Sequence, residues 1–535
     1  MSSPNLLESL NDNIFIDKDK CTFCGICVET CILDNLRMKL APCSHACPLG
    51  VNAQGYIQLI ARGKPVEAME LLLESLPFPG ILGRICSQPC EQQCHRKKVQ
   101  GQAVAIRALK RYLADTVLLE DIPLPEISAK TGKKVAIIGS GPAGLMAAFD
   151  LALKGHAVVV FDSEPFPGGM LRWAIPEFRL PASVVAREVA RLSNLGIDFR
   201  CGIRLGENIF IEDLKQNFQA IILATGCQRH LLLGCPGENL PGVYHGLPFL
   251  KDLSSGIKPD IGNKVIIIGA GNVALDAAQS VLRLGAQEVS MVCLESRDEI
   301  PAFSWALESA LAEGVILKYS WGPTHIIESN GRVSGVEFQR CLNVFDAQNR
   351  FAPCFDPAEK MNLQADTVIV AIGQATDSSC LDCCGIQDSP VDPLTLQSRD
   401  AMIFVAGDLA QGPSSVVEAM ASGRRAAESV NRLLAGVDLH YSRAYAGPIE
   451  TDFEIDTSGA TERERMVIPQ RTFEGQGDFG ELELAFDHET ARLEAQRCYS
   501  CGQPFGKYRT CWFCLPCEVE CPHDALWVEI PYLLR

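Results

Sequence analysis

What the chain lacks narrows its function first. It has no basic excess: 48 lysines and arginines face 65 aspartates and glutamates, for a net charge of −17. Phosphate neutralisation therefore has no source, and neither nucleic acid nor an anionic membrane surface is an expected partner. It has no long apolar run either; nothing approaches the ~18 residues of a membrane span, and the opening Met1-Ser2-Ser3-Pro4-Asn5 leads into no apolar signal stretch. The expectation is a cytoplasmic protein without a membrane span. Histidine is scarce, 9 in 535 residues and scattered, so no acid–base or histidine-ligand constellation can be drawn and no catalytic side chain is assigned. Hydrophobic residues at 47% against 21% charged residues exclude disorder as the dominant state.

Cysteine is what the chain has in quantity. Of 24, fifteen fall in two terminal groups: Cys21, Cys24, Cys27, Cys31, Cys43, Cys47, Cys86, Cys90 and Cys94, then Cys498, Cys501, Cys511, Cys514, Cys517 and Cys521. Disulfides are not expected in a chain of this size with no export signal. Four-cysteine zinc sites also use x2 spacing. Consecutive x2 and x3 steps, as in Cys21 to Cys31, favour [4Fe-4S] ligation, in which three thiolates wrap one cube and the fourth reaches a neighbour. Cys86, Cys90 and Cys94 recur at four-residue intervals, so a helix there would place all three thiols on one face. Nine N-terminal thiols complete at most two all-cysteine cubes, and six C-terminal ones complete one, or two with other ligands. Three or four clusters are expected, with the pairing of ligands left open. Cys380 and Cys383 are read as structural rather than as a redox dithiol. Cys201, Cys227, Cys235, Cys293, Cys341 and Cys354 are read as small buried hydrophobes.

Between the cysteine groups lie two glycine fingerprints. Strand Lys134–Ile138 runs into Gly139-Ser140-Gly141-Pro142-Ala143-Gly144, and its partner strand ends on Asp162. Strand Val265–Ile268 runs into Gly269-Ala270-Gly271-Asn272-Val273-Ala274, and the next strand leads to Glu295 and Arg297. The first glycine makes the turn, the second lets a pyrophosphate approach the backbone, and the third small residue allows helix to pack on strand. Each match follows a strand, opens a helix and has an acidic residue about 20 positions on. Gly373 and Gly407-Asp408 close further apolar strands, Gly226 and Gly373 are counted among the cofactor-binding residues, and a helix is expected to start near Ser415 and Val416.

The first unit continues with Gly169-Met170-Leu171 and Ile175-Pro176-Glu177-Phe178-Arg179-Leu180-Pro181. Through these motifs residues from about 43 to 435 resemble the glutamate synthase small-subunit family, which includes the flavin half of dihydropyrimidine dehydrogenase and the large subunit of NADH-dependent ferredoxin:NADP oxidoreductases. The resemblance implies an α/β protein of two tandem Rossmann-like nucleotide-binding domains, a glutathione-reductase-like flavoprotein. An α-helical iron–sulfur domain precedes them, and ferredoxin-like modules stand at both ends. The expected divisions are 1–40 (ferredoxin-like), 41–125 (helical iron–sulfur), 126–250 and 366–437 (FAD), 251–365 (NAD(H)), 438–490 (linker) and 491–535 (ferredoxin-like).

Carried over from the family, Asp162 holds the adenosine ribose of FAD and Arg179 touches FAD. Gly407-Asp408 holds the ribityl–diphosphate stretch, and the helix start at Ser415 and Val416 stabilises charge on reduced flavin. NADPH-using members carry paired arginines where this chain has Glu295; a carboxylate accepts from a free ribose 2′-OH and repels a phosphate, so NADH is favoured over NADPH. In the helical domain two cysteines of the family are missing ahead of Cys43, and Ile106-Arg107-Ala108-Leu109-Lys110 stands where a carboxylate or amide ligand is often supplied. The expected function is electron transfer between NADH and [4Fe-4S] clusters through FAD. The onward partner is ferredoxin or a larger iron–sulfur reductase subunit, in a hetero-oligomer. Alternatives are the small subunit of a glutamate synthase, an electron-bifurcating flavin subunit, and a redox-sensing scaffold without turnover.

Overall fold

A computed structural model describes residues 14–17, 20, 26–31, 38–377, 390–441, 443, 449–451, 457, 462–501 and 514–530. Two five-stranded parallel sheets dominate it. The first orders its strands 403–405, 220–223, 134–138, 157–162 and 198–201. Val135 to Ile138 and Ala220 to Leu223 are all at most 4% exposed, the signature of strands covered on both faces. The chain leaves strand 134–138 to build one side of the sheet and returns to build the other. This puts the reversal of strand order beside the Gly139 loop, where open α/β sheets bind ligands.

The second sheet repeats the plan with strands 316–318, 288–292, 264–268, 367–370 and 243–245. A three-stranded antiparallel meander, 321–329, 332–345 and 351–364, is inserted before the sheet's last strand. The two units are joined where Arg229–His230 pairs with Gln374–Ala375, and there His230 stacks on His245 with centroids 3.8 Å apart. The central strands of both sheets follow from apolar runs and the glycines that end them; the edge strands 198–201, 243–245 and 316–318 and the meander do not.

The helices of residues 42–116 pack on the first unit in a shared core. Gly83, in helix Pro79–Ile85, lies so close to helix Ile106–Thr116 that a Cβ would stand 2.8 Å from the Arg111 Cα. A single helix through Cys86, Cys90 and Cys94 does not form. The first helix stops at Ile85, Gln88 takes a left-handed φ of 62°, Pro89 starts a four-residue helix, and Cys94 caps the next. Pro89 supplies no N–H to continue the earlier turn, so the three thiols do not share one face.

Residues 462–497, expected as linker and the start of a separate module, return across the helical domain. Glu481 accepts from Arg84 at 2.7 Å and pairs with Arg111 at 2.9 Å, and Glu483 pairs with Arg107 at 2.6 Å. Farther on, helix His488–Ala495 carries the fully buried Glu494, which accepts from the Ala105 N–H at 2.7 Å and pairs with Arg497 at 2.7 Å. The two chain ends meet as well. Ile14–Ile16 pairs antiparallel with Leu526–Val528, Phe15 stacks on Trp527 with centroids 5.7 Å apart, and Cys27 and Cys517 share one small core. The two ferredoxin-like segments thus form one unit. Among the described residues no helix is long and apolar enough to cross a membrane.

One buried acid ties the helical domain to the flavin unit. Glu188, fully buried in helix Ala182–Ser193, accepts from the Gly80 and Ile81 N–H groups at 2.5 and 3.1 Å. Burial raises its carboxyl to about 7 from an ordinary 4.5, against the pull of those two N–H groups. The folded chain therefore holds a proton that the unfolded chain has released between these values, so stability falls as pH rises from about 4.5 to about 7. Compared with Glu188→Gln, the wild type should lose about 3 kcal/mol across that window. Urea denaturation of both proteins at stepped pH measures the difference, and parallel profiles would refute it.

Candidate functional site

In the first unit Gly139 adopts φ 104°, and a Cβ on it would strike the Ala224 carbonyl at 2.4 Å. On Gly144 a Cβ would stand 1.9 Å from the Gly139 carbonyl. These two positions demand glycine for protein packing alone. Gly141 differs: a Cβ there would meet nothing within 4 Å, although it caps helix Pro142–Leu153, whose first turn has no side-chain cap. Open space over free N–H groups at the positive end of a helix is what a pyrophosphate requires. Gly169, at φ 54°, brings its own backbone against Gly141, with a would-be Cβ 2.7 Å from the Gly141 Cα, and Leu171 behind it is fully buried. Met170 opens the short helix 170–173.

The remaining first-unit residues gather around this loop. Asp162 accepts from the Ser140 N–H at 2.7 Å and from the Glu164 N–H at 2.9 Å, so its carboxylate orders the glycine loop itself. Gly407, at φ 68°, faces Ala143, whose Cβ would lie 2.8 Å from a Cβ on Gly407; its N–H donates to Ser422. Asp408 accepts from Ser414, and burial raises its carboxyl above the ordinary value, against that bond. Ser415 caps helix Val416–Ala435 in a box with Glu418. The expected helix start is therefore in place.

The second unit copies the first. Gly269 at φ 124° would strike the Ala371 carbonyl at 2.3 Å, and Gly271 again opens onto nothing within 4 Å at the uncapped start of helix Asn272–Leu284. Ala270 and Ala274 are buried, Asn272 accepts from the Phe303 N–H at 3.2 Å, and Val273 packs beside Gly246. Glu295 follows strand 288–292, half-buried, and Arg297 begins an exposed turn. Gly226 and Gly373, both at positive φ, flank the link between the units.

Arg179, expected at the FAD, also reaches the second unit. Its guanidinium donates to both oxygens of Asp276 at 2.6 and 2.8 Å, joining the first unit to the helix behind the second glycine loop. Asp276 itself went unnoticed in the sequence, where an acidic residue inside an amphipathic helix carries no special signal.

The cysteines sort by position in space rather than in sequence. Cys43, Cys94, Cys498 and Cys501 line one pocket, and Cys43 is raised above the ordinary thiol value by burial and then by Cys498, Cys94 and Cys501. Cys90 is also raised, by burial above all, with Lys110 pulling it down and Cys86, Glu91 and Cys47 pushing it up. Cys27, Cys31, Cys517 and Cys521 belong to the terminal unit. Cys514 is exposed, and Cys21, Cys24, Cys511, Cys380 and Cys383 lie outside the described residues. Among the described residues no three His, Cys, Asp or Glu side chains stand close enough to hold a single metal ion. A cube of four irons holds its thiolates farther apart than one zinc does, and it takes thiolate ligands in fours. Of the six isolated cysteines, Cys227, Cys293 and Cys341 are buried, Cys201 and Cys235 are half-buried, and Cys354 is exposed on a strand of the meander.

Two glycine cradles on tandem parallel sheets define a two-dinucleotide oxidoreductase. Residues 133–423 match the family model described as pyridine nucleotide-disulphide oxidoreductase, and the chain belongs to that family. Residues 12–122 match the model described as dihydropyrimidine dehydrogenase domain II, 4Fe-4S cluster. The chain is 35% identical over 502 residues to NADP(+)-dependent formate dehydrogenase subunit beta of Moorella thermoacetica, covering 86% of this chain and 70% of that one. It is 31% identical over 412 residues to the glutamate synthase [NADPH] small chain of Halomonas elongata, covering 72% of this chain and 87% of that one. A variant of FprA from Mycobacterium tuberculosis shares the fold, with a TM-score of 0.50 at 20% identity over 57% of this chain and 85% of that one. The protein is an FAD-dependent NAD(P)H oxidoreductase with a 4Fe-4S domain.

Because Gly141 and Gly271 face open space, larger residues there should fold yet exclude a ligand. Gly141→Val should purify with at least tenfold less FAD and an unchanged far-ultraviolet circular dichroism spectrum. Gly271→Val should keep its FAD and raise the nicotinamide nucleotide's Kd at least tenfold, read by anaerobic flavin bleaching. Normal flavin content in the first variant would remove the pyrophosphate from this loop.

Proposed function

We propose that this chain is the flavin subunit of a larger assembly that moves electrons between NADH and [4Fe-4S] clusters and on to ferredoxin or a partner reductase subunit. The observation that carries the reading is that the first glycine cradle and the cysteine-lined helical domain share one continuous core, to which the second open cradle is tied by the Arg179–Asp276 pair. FAD in the first cradle supplies the exchange between two-electron hydride chemistry and one-electron carriers. The chain's own part is placement: Gly141 and Gly271 leave room for diphosphates, Asp162 fixes the first loop, and Arg179 with Asp276 fixes the second unit against the first.

The terminal unit supports an iron–sulfur partner over an amidotransferase. In two-cluster ferredoxins the fourth cysteine of each run ligates the other cluster. On that rule Cys21, Cys24 and Cys27 join Cys521, and Cys511, Cys514 and Cys517 join Cys31. The pairing of strands 14–16 and 526–528 and the shared core of Cys27 and Cys517 favour this exchange.

Glu295 supports NADH. The relatives described above are named for NADP, and on this reading the coenzyme is where this chain would depart from them. A carboxylate beside the adenosine ribose accepts from its hydroxyls and repels a 2′-phosphate, whereas guanidinium groups clamp the phosphate. Anaerobic stopped-flow bleaching of the flavin should favour NADH over NADPH at least tenfold, and Glu295→Arg should reverse or erase that ratio. Faster bleaching by NADPH in the wild type would overturn the coenzyme assignment. No bleaching by either nucleotide would overturn the function.

A further inference from the structure

We propose that Cys43, Cys94, Cys498 and Cys501 are the four ligands of one [4Fe-4S] cube, so that two ligands absent ahead of Cys43 are supplied from the far end of the chain. The inference rests on the iron–sulfur reading above and assigns the pairing that reading leaves open.

Four observations converge. The four thiols line a single pocket closed by Ile57 and Ile106, and all four are free of disulfides. The turn that carries Cys498 and Cys501 is fastened to helix Ala53–Ala61: Gln54 donates to the Ser500 hydroxyl at 2.8 Å and Gln58 to the Cys498 carbonyl at 3.4 Å. Arg96, two residues after Cys94, donates to the Arg497 carbonyl and lies 4.9 Å from the Tyr499 ring centroid. Inside the turn, Ser500 adopts φ 55° and aims its N–H at the Cys498 sulfur at 3.4 Å. Left-handed backbone at a non-glycine residue persists where its surroundings hold it, and N–H bonds to sulfur belong to the environment that sets cluster potential. A Cys-x2-Cys turn held in this way presents two thiols to Cys43 and Cys94.

The count of thiols then closes. With eight assigned to the ferredoxin-like unit and four here, Cys47, Cys86 and Cys90 remain of the fifteen. Cys86 and Cys47 both lie near enough to act on Cys90, and a cube on these three would need a ligand other than cysteine. The expected total is four clusters rather than three. The assignment also explains the fastened return of residues 462–497: without it, the first cube would have two thiolates instead of four.

Iron, labile sulfide and FAD are to be counted in anaerobically purified full-length protein, with FAD content reporting the fold. The wild type should carry about 16 iron per FAD, four per cube. Cys498→Ser with Cys501→Ser should lose about 4 iron, Cys43→Ser with Cys94→Ser should lose about 4, and all four changes together should still lose only about 4. Loss of about 8 in the combined variant would assign the pairs to different clusters and overturn the proposal. So would zinc that disappears with either pair. Should a serine variant fail to retain FAD, Cys501→Asp and Cys43→Asp, which keep an anionic ligand, replace it. Both should alter the same electron paramagnetic resonance signal of the reduced protein, and changes in two different signals would overturn the pairing. A wild type that carries FAD but no iron would instead overturn the electron-transfer reading.

Discussion

The structure depends on three buried arginines meeting two glutamates from the other end of the chain. Arg84, Arg107 and Arg111 are each under 10% exposed, and Glu481 and Glu483 are the partners that lie across from them. For Arg84, burial opposes the charge, yet Asp115 and Glu481 together raise it above the ordinary value. A buried pair adds little net stability compared with an apolar replacement, but breaking one costs about 3–5 kcal/mol because a charge is left without a partner. Such contacts therefore act mainly as a register. They permit one position of residues 462–497 on the helical domain, and Glu494, held by Ala105 and Arg497, repeats the constraint one helix later.

The same segment reaches the nucleotide units. The Gly477 N–H donates to the Arg283 carbonyl, and the Arg283 guanidinium lies between the rings of Phe178 and Phe473, 3.8 and 4.4 Å from their centroids. Arg283 also pairs with Glu313 at 2.5 Å. Nearby, Trp305 of the second unit takes Arg107 of the helical domain at 5.0 Å and Arg179 of the flavin unit at 5.5 Å. Three domains thus converge on one indole. Electron passage between carriers requires fixed separations, and these cation–aromatic and ionic contacts resist rotation of one unit against another more than an apolar interface of equal area would.

What was legible in the sequence was local. Strand 134–138 and strand 264–268 each announce themselves by an apolar run, a glycine turn and a small-residue helix, all within about 20 residues, and both appear with their ends moved by no more than one or two positions. The four-residue spacing of Cys86, Cys90 and Cys94 misled, because spacing alone ignored Pro89, which ends one helix and begins another. Residues 462–490 looked like a linker because their partners are buried arginines far away in sequence. Arg179 was assigned to the flavin by likeness, and its pairing with Asp276 is a further long-range contact that no periodicity encodes. The signal that existed for the proposed cysteine pairing was a deficit, two thiols too few before Cys43, set against a C-terminal group of six, two more than one cube takes.

Drawing a cluster's ligands from both ends of a long chain costs less than it first suggests. Loop-closure entropy grows with the logarithm of length, about 0.6 kcal/mol for each doubling, so replacing a loop of a few residues by one of several hundred adds about 4 kcal/mol. That cost is shared with the ionic contacts of Glu481, Glu483 and Glu494, which close the same loop whether or not metal is present. Thiols raised by burial, as Cys43 is, are protonated until a cation displaces the proton, so ligation and proton release are linked. Docking of the C-terminal segment must then precede completion of a site that uses Cys498 and Cys501, because those thiols reach the pocket only after the return path is in place. Since domains emerge and fold from the N-terminus during synthesis, such a site is completed last, when both glycine-loop units have already formed.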